Sequence, residues 1–203
     1  MQRRLTLKSL AALALPLPAL GILGACSDPK AQFRAVDLTG ADYAKDFQLT
    51  DFNGQPRTLA DYKGKIVVLF FGFTQCPDVC PTTLSELAEA KKLLGADGEK
   101  LQGLFISVDP ERDTPEVLKE YMKAFDPSFV ALYASSPEKL AAVAKDFKVY
   151  YKKVDGKTPS TYTMDHTAAS YIYDTQGRLR LYTRYGSGAQ ALADDVRLLL
   201  KGT

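Results

Sequence analysis

The segment KIVVLFFGFTQCPDVCPTTLSEL, residues 65–87, decides the fold of this chain. Its first part, Lys65–Phe73, is almost continuously apolar and rich in β-branched and aromatic residues, which is typical of a strand buried on both faces of a sheet. Over Pro81–Leu94 apolar residues recur at helical spacing, and the proline suits the first turn of a helix. The segment therefore predicts a buried strand followed by an amphipathic helix, with Cys76 and Cys80 at the junction.

The rest of the chain predicts strands and helices that alternate around this unit. Phe47–Leu59 is expected to form a β-hairpin, because Asn53-Gly54 is a strong turn signal. The later elements are expected as strands at Leu104–Val108 and Phe129–Tyr133, helices at Thr114–Phe125, Pro137–Phe147 and Gln190–Leu200, an exposed strand or loop at Val149–Lys153, and a strand pair at Ala168–Tyr173 and Leu179–Tyr185. This order predicts an α/β domain with a mixed central sheet and an N-terminal β-hairpin, the pattern of a thioredoxin-like fold.

The N-terminus has the features of an export signal. Three basic residues precede an apolar run over Leu10–Ala25 that two prolines interrupt. Because a spanning helix needs about 20 apolar residues, this run favours a cleavable signal peptide over residues 1–25 rather than a permanent anchor. The run ends in Leu23-Gly24-Ala25-Cys26, which resembles the lipobox of bacterial lipoproteins. Cys26 is therefore predicted to carry a lipid, the other interpretation being an ordinary signal with a chance cysteine.

Composition and charge limit the classes of partner. The chain has 26 Lys and Arg against 24 Asp and Glu, a balance that offers no basic face for a nucleic acid. Residues 26–45 lack sustained periodicity and are expected to be a tether, and 46–203 are long enough for one domain with its own core. The chain is thus expected on the extracytoplasmic, periplasmic side, attached to the membrane by its lipid. That compartment is oxidising, and a domain of this size is stable without a disulfide. The cysteine pair is therefore expected to have a chemical role.

Cys76 and Cys80 lie before and at the start of the predicted helix, at the carboxyl end of a strand, where reactive groups of α/β sheets collect. The free NH groups of a helix N-terminus favour thiolate over thiol. Three residues separate the two cysteines, whereas thioredoxin-type oxidoreductases use two. In a helix their Cα atoms would lie about 6 Å apart on one face, so both a metal chelate and a strained disulfide are open to them.

The chain contains one histidine, His166, just before a predicted strand. A lone histidine is usually structural, but beside an exported cysteine pair it is the obvious third ligand. Two thiolates and one imidazole suit Cu(I), and can hold Cu(II) when water or a backbone group completes the set. Zinc also accepts such ligands with an open position. A redox-capable site outside the cytoplasm favours copper.

Three motifs follow one another along the chain. They are FGFTQCPDVCP at residues 71–81, SVDPERDTP at residues 107–115 and DHT at residues 165–167. With these motifs, over roughly Phe47–Leu200, the chain resembles the Sco/SenC family of copper-binding cytochrome c oxidase assembly proteins. The resemblance implies that Cys76, Cys80 and His166 bind copper. It also implies that the protein delivers copper to the dinuclear CuA centre of a terminal oxidase, or first reduces the cysteines of that centre.

The resemblance implies two partners, and more than one function remains open. The partners it implies are the oxidase subunit that carries CuA and a periplasmic copper donor. In a non-enzymatic metallochaperone, Cys76 and Cys80 bind copper and also form a redox pair; in a general extracytoplasmic thiol-disulfide oxidoreductase, His166 would be incidental. A peroxidase is suggested by the order of hairpin, strand and cysteine, but the chain lacks a close match to the peroxidatic loop of that class.

Three carboxylates within these motifs are candidates for tuning the site. Asp109 and Asp113 are mainly expected to form a turn and a helix start, with an influence on the thiolates as a hypothesis. Asp165 is expected to orient His166 in the same way.

Overall fold

The computed structural model describes residues 32–158 and 161–202, so that the predicted signal peptide and Cys26 lie outside the described residues. The strands in this part are β1 (Val36–Asp37), β2 (Leu49–Asp51), β3 (Pro56–Arg57), β4 (Ile66–Gly72), β5 (Leu101–Ser107), β6 (Val130–Tyr133), β7 (Tyr151–Val154), β8 (Thr163–His166), β9 (Ala169–Tyr173) and β10 (Leu179–Arg184). The α-helices are α1 (Val79–Leu93), α2 (Pro115–Lys123), α3 (Pro137–Asp146) and α4 (Ala189–Leu200). None of these helices has the length and apolar character needed to span a membrane.

The strand β4 lies inside a mixed eight-stranded sheet. The strand order is β1-β10-β9-β4-β5-β6-β2-β3, in which β4 pairs in parallel with β5 and antiparallel with β9. All seven residues of β4 are buried, as its continuous apolar sequence predicts. The predicted α/β, thioredoxin-like fold with a mixed central sheet is confirmed.

The N-terminal hairpin is also confirmed. The strands β2 and β3 pair in antiparallel fashion at one edge of the sheet, and Gly54 in their turn has φ +77°. Pro56 lies in the outermost strand, where a missing backbone NH costs no ladder hydrogen bond. Asp51 closes the turn by accepting hydrogen bonds from the backbone NH groups of Asn53 and Gln55.

The helices follow the predicted order with shifted starts. Helix α1 begins at Val79, two residues before the predicted position, which places Cys80 in its first turn. Pro81 is tolerated there because the NH groups of a first helical turn have no partner within the helix. Helix α1 packs against α4 and contacts β5. Helix α2 begins as predicted, with Thr114 as a cap whose Oγ1 accepts from the Val117 backbone NH at 3.3 Å.

The strand β8 and its pairing were not predicted, whereas β7 falls largely in the segment expected as an exposed strand or loop, Val149–Lys153. The strands β7 and β8 form a separate two-stranded sheet, in which Tyr151 lies opposite His166. His166 is thus the last residue of a strand, whereas the sequence placed it just before one. Three of the four residues of β7 are exposed, so its composition resembles a loop. Backbone pairing, rather than burial, makes this segment a strand.

The N-terminal segment also differs from its prediction. Residues 26–45 were expected to be a tether, but within the described part Val36–Asp37 pairs with β10 at the edge of the large sheet. The buried carboxylate of Asp195 accepts the backbone NH groups of Arg34 and Ala35 at 2.7 and 2.8 Å. Backbone hydrogen bonds hold this segment together with apolar side chains such as Phe33, Leu38 and Tyr43 that pack against the core at irregular spacing, so periodicity could not reveal it.

Candidate metal centre

Cys76 and Cys80 lie where β4 ends and α1 begins. Cys80 is fully buried in the first turn of the helix, and Cys76 is partly exposed in the loop that precedes it. The backbone NH of Cys80 points to Cys76 Sγ at 3.4 Å. The thiol next to solvent therefore receives a hydrogen bond from the positive end of a helix.

Gly72, the last residue of β4, leaves room for the buried sulfur. A Cβ atom at this position would lie 2.8 Å from Cys80 Sγ, and equally close to the rings of Phe70 and Phe105. Such distances are shorter than van der Waals contact, so a side chain here would displace the sulfur or the rings. Gly72 was not among the predicted site residues. A lone glycine in an apolar strand is the signal that could have found it.

The third candidate ligand, His166, lies on β8. His166 Nε2 lies 3.5 Å from Cys80 Sγ, and the candidate ligand atoms of Cys76, Cys80 and His166 all lie within 4.8 Å of one another. His166 Nδ1 lies 3.2 Å from the carbonyl oxygen of Thr167, which can only accept, so Nδ1 carries the proton and Nε2 is free to bind a metal. The imidazole packs edge-on against Phe73, with ring centroids 5.8 Å apart.

The pKa values of the two cysteine thiols are shifted in opposite directions. A hydrogen bond from the Cys80 thiol, together with contacts to His166 and to backbone NH groups, lowers the pKa of Cys76 to about 4. The same hydrogen bond and burial raise the pKa of Cys80 far above its usual range. At neutral pH the pair therefore holds a thiolate on Cys76 and a proton on Cys80. The thiolate is both the nucleophile and the metal ligand.

Asp113 attaches the cysteine loop to the end of β5. Its buried carboxylate accepts hydrogen bonds from Thr74 Oγ1 and Ser107 Oγ, each at 2.6 Å, and from the Thr74 backbone NH. Burial raises the pKa of Asp113 despite these bonds. Thr74 lies two residues before Cys76, so Asp113 influences the sulfur by fixing the loop rather than by touching it.

Asp109 and Arg112 connect the cysteine side to the histidine side. The buried Asp109 carboxylate accepts hydrogen bonds from Tyr162 Oη at 2.7 Å and from Arg112 Nε. Arg112 Nη1 donates to Gln75 Oε1 at 3.0 Å and to the carbonyl oxygen of Tyr162 at 2.8 Å. Gln75 precedes Cys76, and Tyr162 precedes the strand that carries the histidine.

Asp165 occupies a different position from the one expected. Its side chain is exposed and lies opposite Lys152, because successive residues of a strand point to opposite faces. Among the described residues, the oxygen that holds the His166 ring is the Thr167 carbonyl. The backbone of the next residue, rather than the neighbouring carboxylate, therefore fixes the imidazole.

Fold and site together define a class: a thioredoxin-like domain whose Cys-x₃-Cys loop meets a histidine from a separate strand pair. The family model SCO1/SenC matches residues 36–201, and the chain belongs to this family. It is 39% identical over 134 residues to the SCO2-like protein of Rickettsia felis, covering 66% of this chain and 65% of that one. The mitochondrial protein SCO2 of Saccharomyces cerevisiae is 43% identical over 134 residues, covering 65% of this chain and 44% of its own length.

A solved structure resembles the chain closely. The structure of Bradyrhizobium japonicum ScoI with copper bound is 44% identical, with a TM-score of 0.69, and the match covers 76% of this chain and 97% of that one. The chain thus spans less than two thirds of the two curated relatives but nearly all of this solved domain.

Proposed function

We propose that this chain is a copper-binding protein that assists the assembly of the CuA centre of a terminal cytochrome oxidase. The observation that carries the proposal is the convergence of Cys76, Cys80 and His166, whose ligand atoms lie within 4.8 Å of one another. Membership of the SCO1/SenC family and likeness to a copper-bound ScoI support it. The partners are the oxidase subunit that carries CuA and a copper donor on the periplasmic side.

The donor atoms fit copper as a cargo. Two sulfurs and an unprotonated imidazole nitrogen are soft ligands that suit Cu(I), with Cu(II) possible when a further oxygen or nitrogen joins them. Cys76 is partly exposed and carries the thiolate, so it is the sulfur that an incoming ion meets first. Cys80 is buried and protonated, and must release its proton before it becomes the second thiolate.

The lowered pKa of Cys76 supports a second function, reduction of a partner's disulfide. The Cys76 thiolate would attack one sulfur of that disulfide and release the other as a partner thiolate, forming a mixed disulfide. Cys80, after losing its proton, would attack Cys76 Sγ and release the second partner thiolate. The pair is thereby oxidised to a disulfide by two electrons, and the partner is reduced by the same two.

Copper titration tests the binding proposal. The purified chain carries Cys26→Ser, so that Cys76 and Cys80 are its only thiols. We expect the reduced protein to bind one copper per chain, with thiolate-to-copper charge-transfer absorption, and His166→Ala to bind it more weakly. Absence of specific binding, or binding indifferent to His166, would favour the dithiol reductase instead.

Oxidase assembly separates the two roles in cells. A strain without this protein should lose the CuA absorption of its oxidase, and the full chain should restore it. Under copper delivery His166→Ala fails to restore CuA. Under thiol reduction alone, His166→Ala restores CuA as well as the unchanged chain does.

We further propose that residues 1–25 are removed and that a lipid on Cys26 keeps the domain at the extracytoplasmic face of the membrane. The lipobox-like sequence before Cys26 supports this. Mass spectrometry of the N-terminal peptide should find an acylated Cys26. A free cysteine there, or an uncleaved leader, contradicts the proposal.

A further inference from the structure

The strand pair that carries His166 lies outside the main sheet. The strands β7 and β8 pair with each other, and β7 is largely exposed. A two-stranded sheet is only marginally stable by itself, so its position depends on contacts with the rest of the domain. At the end next to His166 the contact is with the loop that follows β4, since the imidazole packs edge-on against Phe73 with ring centroids 5.8 Å apart.

At the other end the anchor is Tyr162, a buried residue directly before β8. Two cations contact its ring, with the guanidinium carbon of Arg112 at 3.6 Å and Lys153 Nζ at 3.9 Å from the ring centroid. Its hydroxyl donates to Asp109 Oδ1 at 2.7 Å, and its carbonyl oxygen accepts from Arg112 Nη1 at 2.8 Å. Cation–π contacts and a hydrogen bond to a buried carboxylate are among the stronger interactions that a tyrosine can make.

This anchor is placed to control the imidazole. Tyr162, Met164 and His166 alternate along the strand and therefore share one face, and the first two are buried. Four residues of extended chain separate the tyrosine from the histidine by about 13 Å. A shift at Tyr162 is transmitted along this short strand to the ring.

The same anchor reaches the cysteine side. Arg112, which stacks on Tyr162, also donates to Gln75 Oε1, one residue before Cys76. Asp113, the next residue, holds Thr74 in the same loop. One short turn, Asp109–Asp113, therefore contacts both parts of the site.

We propose that Tyr162 is a positioning residue for His166: through Asp109 and Arg112 it fixes the distance between the imidazole and the two sulfurs. The proposal rests on the proposed function, in which His166 is a copper ligand. Tyr162 itself touches no candidate ligand atom and acts through β8. Without its anchor the strand pair should sample several positions, and copper should lose the benefit of the third ligand.

The first test needs no copper. Because the chain holds a single histidine, one imidazole C2–H signal in the proton NMR spectrum of the tag-free reduced protein reports on His166. We expect Tyr162→Phe, which removes only the hydroxyl, to shift or broaden this signal. The control is Tyr173→Phe, since Tyr173 Oη donates to the Ala44 carbonyl at the same distance, 2.7 Å, far from the site in the sheet register. That variant should leave the signal unchanged.

The second test measures Cu(I) affinity by competition with a chromophoric Cu(I) chelator in the absence of oxygen. A double-mutant cycle compares four proteins: the unchanged protein, Tyr162→Phe, His166→Ala and the double variant. We expect Tyr162→Phe to weaken binding about 10-fold, in the range found for groups that orient metal ligands. In the His166→Ala protein the same change should alter affinity by no more than about twofold, because the ligand that Tyr162 positions is gone.

The outcomes are distinct. An unchanged histidine signal in Tyr162→Phe, or an equal loss of affinity with and without His166, overturns the positioning role. If His166→Ala alone leaves Cu(I) affinity intact, the proposed copper site fails instead. The copper-free histidine signal then still decides whether Tyr162 positions the ring.

Discussion

The two sides of the candidate metal centre are built differently. Cys80 is fully buried against the end of β4, where Gly72 leaves space for its sulfur. His166 lies on a two-stranded sheet whose first strand is mostly exposed. Cys80 is part of the core, whereas the imidazole side is held through a short strand pair by the buried Met164 and by the contacts of Tyr162.

For the proposed copper site, this difference separates a side that would hold the ion from a side that would release it. Close packing resists displacement of the Cys80 sulfur, because any shift must move core side chains. The imidazole can move when contacts of Tyr162 break, at a smaller cost in free energy. We therefore expect Cys80 to be rigid and His166 to be the adjustable ligand.

The largest effect is expected from Gly72→Ala. Its Cβ would lie 2.8 Å from Cys80 Sγ, so the free energy of unfolding should fall by about 2–3 kcal/mol, the cost of overpacking a core. The matched control is Gly103→Ala, whose Cβ would lie 2.8 Å from Phe129 and 2.9 Å from Leu87, away from the sulfurs. Denaturant unfolding should show a loss in both variants, and copper titration a weaker site in Gly72→Ala alone.

Equal copper affinity in both glycine variants would contradict the role of Gly72 in placing the Cys80 sulfur. It would mean that the sulfur position does not depend on the packing at the end of β4.

Asp113→Ala should have the next largest effect. It leaves the hydroxyls of Thr74 and Ser107 without their buried acceptor, so unfolding should become easier by about 1–2 kcal/mol. Because Asp113 holds the cysteine loop, alkylation of Cys76 should change in rate, while the NMR signal of His166 stays in place. A shifted histidine signal with unchanged Cys76 reactivity would contradict the separation of the two sides.

The pH dependence of Cys76 gives a sharper test of the thiol side. A pKa lowered to about 4 means that the thiolate is present above that pH and disappears only as the pH falls through it. In the Cys26→Ser protein, the rate of iodoacetamide labelling at Cys76 should therefore stay level from neutral pH down to about pH 5. Cys80→Ala removes the main hydrogen bond, so the midpoint should rise. If labelling of the Cys26→Ser protein, with Cys80 in place, shows a midpoint near the ordinary pKa of a cysteine, the lowered pKa of Cys76 is contradicted.

The sequence predicts the core elements well because their signals are local. A continuous apolar run marks β4, and Thr114 with Pro115 marks the start of α2. The strand pair β7–β8 has no such signal, since Lys152 and Lys153 face solvent and long-range polar contacts hold it in place. Periodicity reports burial, and only part of this segment is buried: Met164 on β8 joins the core, whereas β7 is largely exposed.

The residues of the site also divide into those with a local sequence signal and those that depend on long-range contacts. Cysteine spacing and the rarity of histidine in the chain were enough to select three side chains that the structure brings together. The roles of Gly72 and Tyr162 depend on atoms from distant segments, such as Cys80 Sγ and the Asp109 carboxylate. Only the folded chain brings these atoms into contact, so sequence spacing could not reveal them.

The smallest effect is expected from Asp165→Asn. The side chain is exposed on the face of β8 away from the ring, so stability should change by no more than about 0.5 kcal/mol. Copper affinity and the His166 signal should be unchanged. A clear loss of affinity would show that this carboxylate, and not the Thr167 carbonyl, orients the imidazole.

X-ray absorption at the copper edge of the loaded, reduced protein counts the ligand atoms around the ion and so tests the three-ligand site itself. We expect two sulfur ligands and one imidazole nitrogen, with the nitrogen signal lost in His166→Ala and both sulfurs retained. A single sulfur, or an imidazole signal that persists after His166 is replaced, would contradict the three-ligand site.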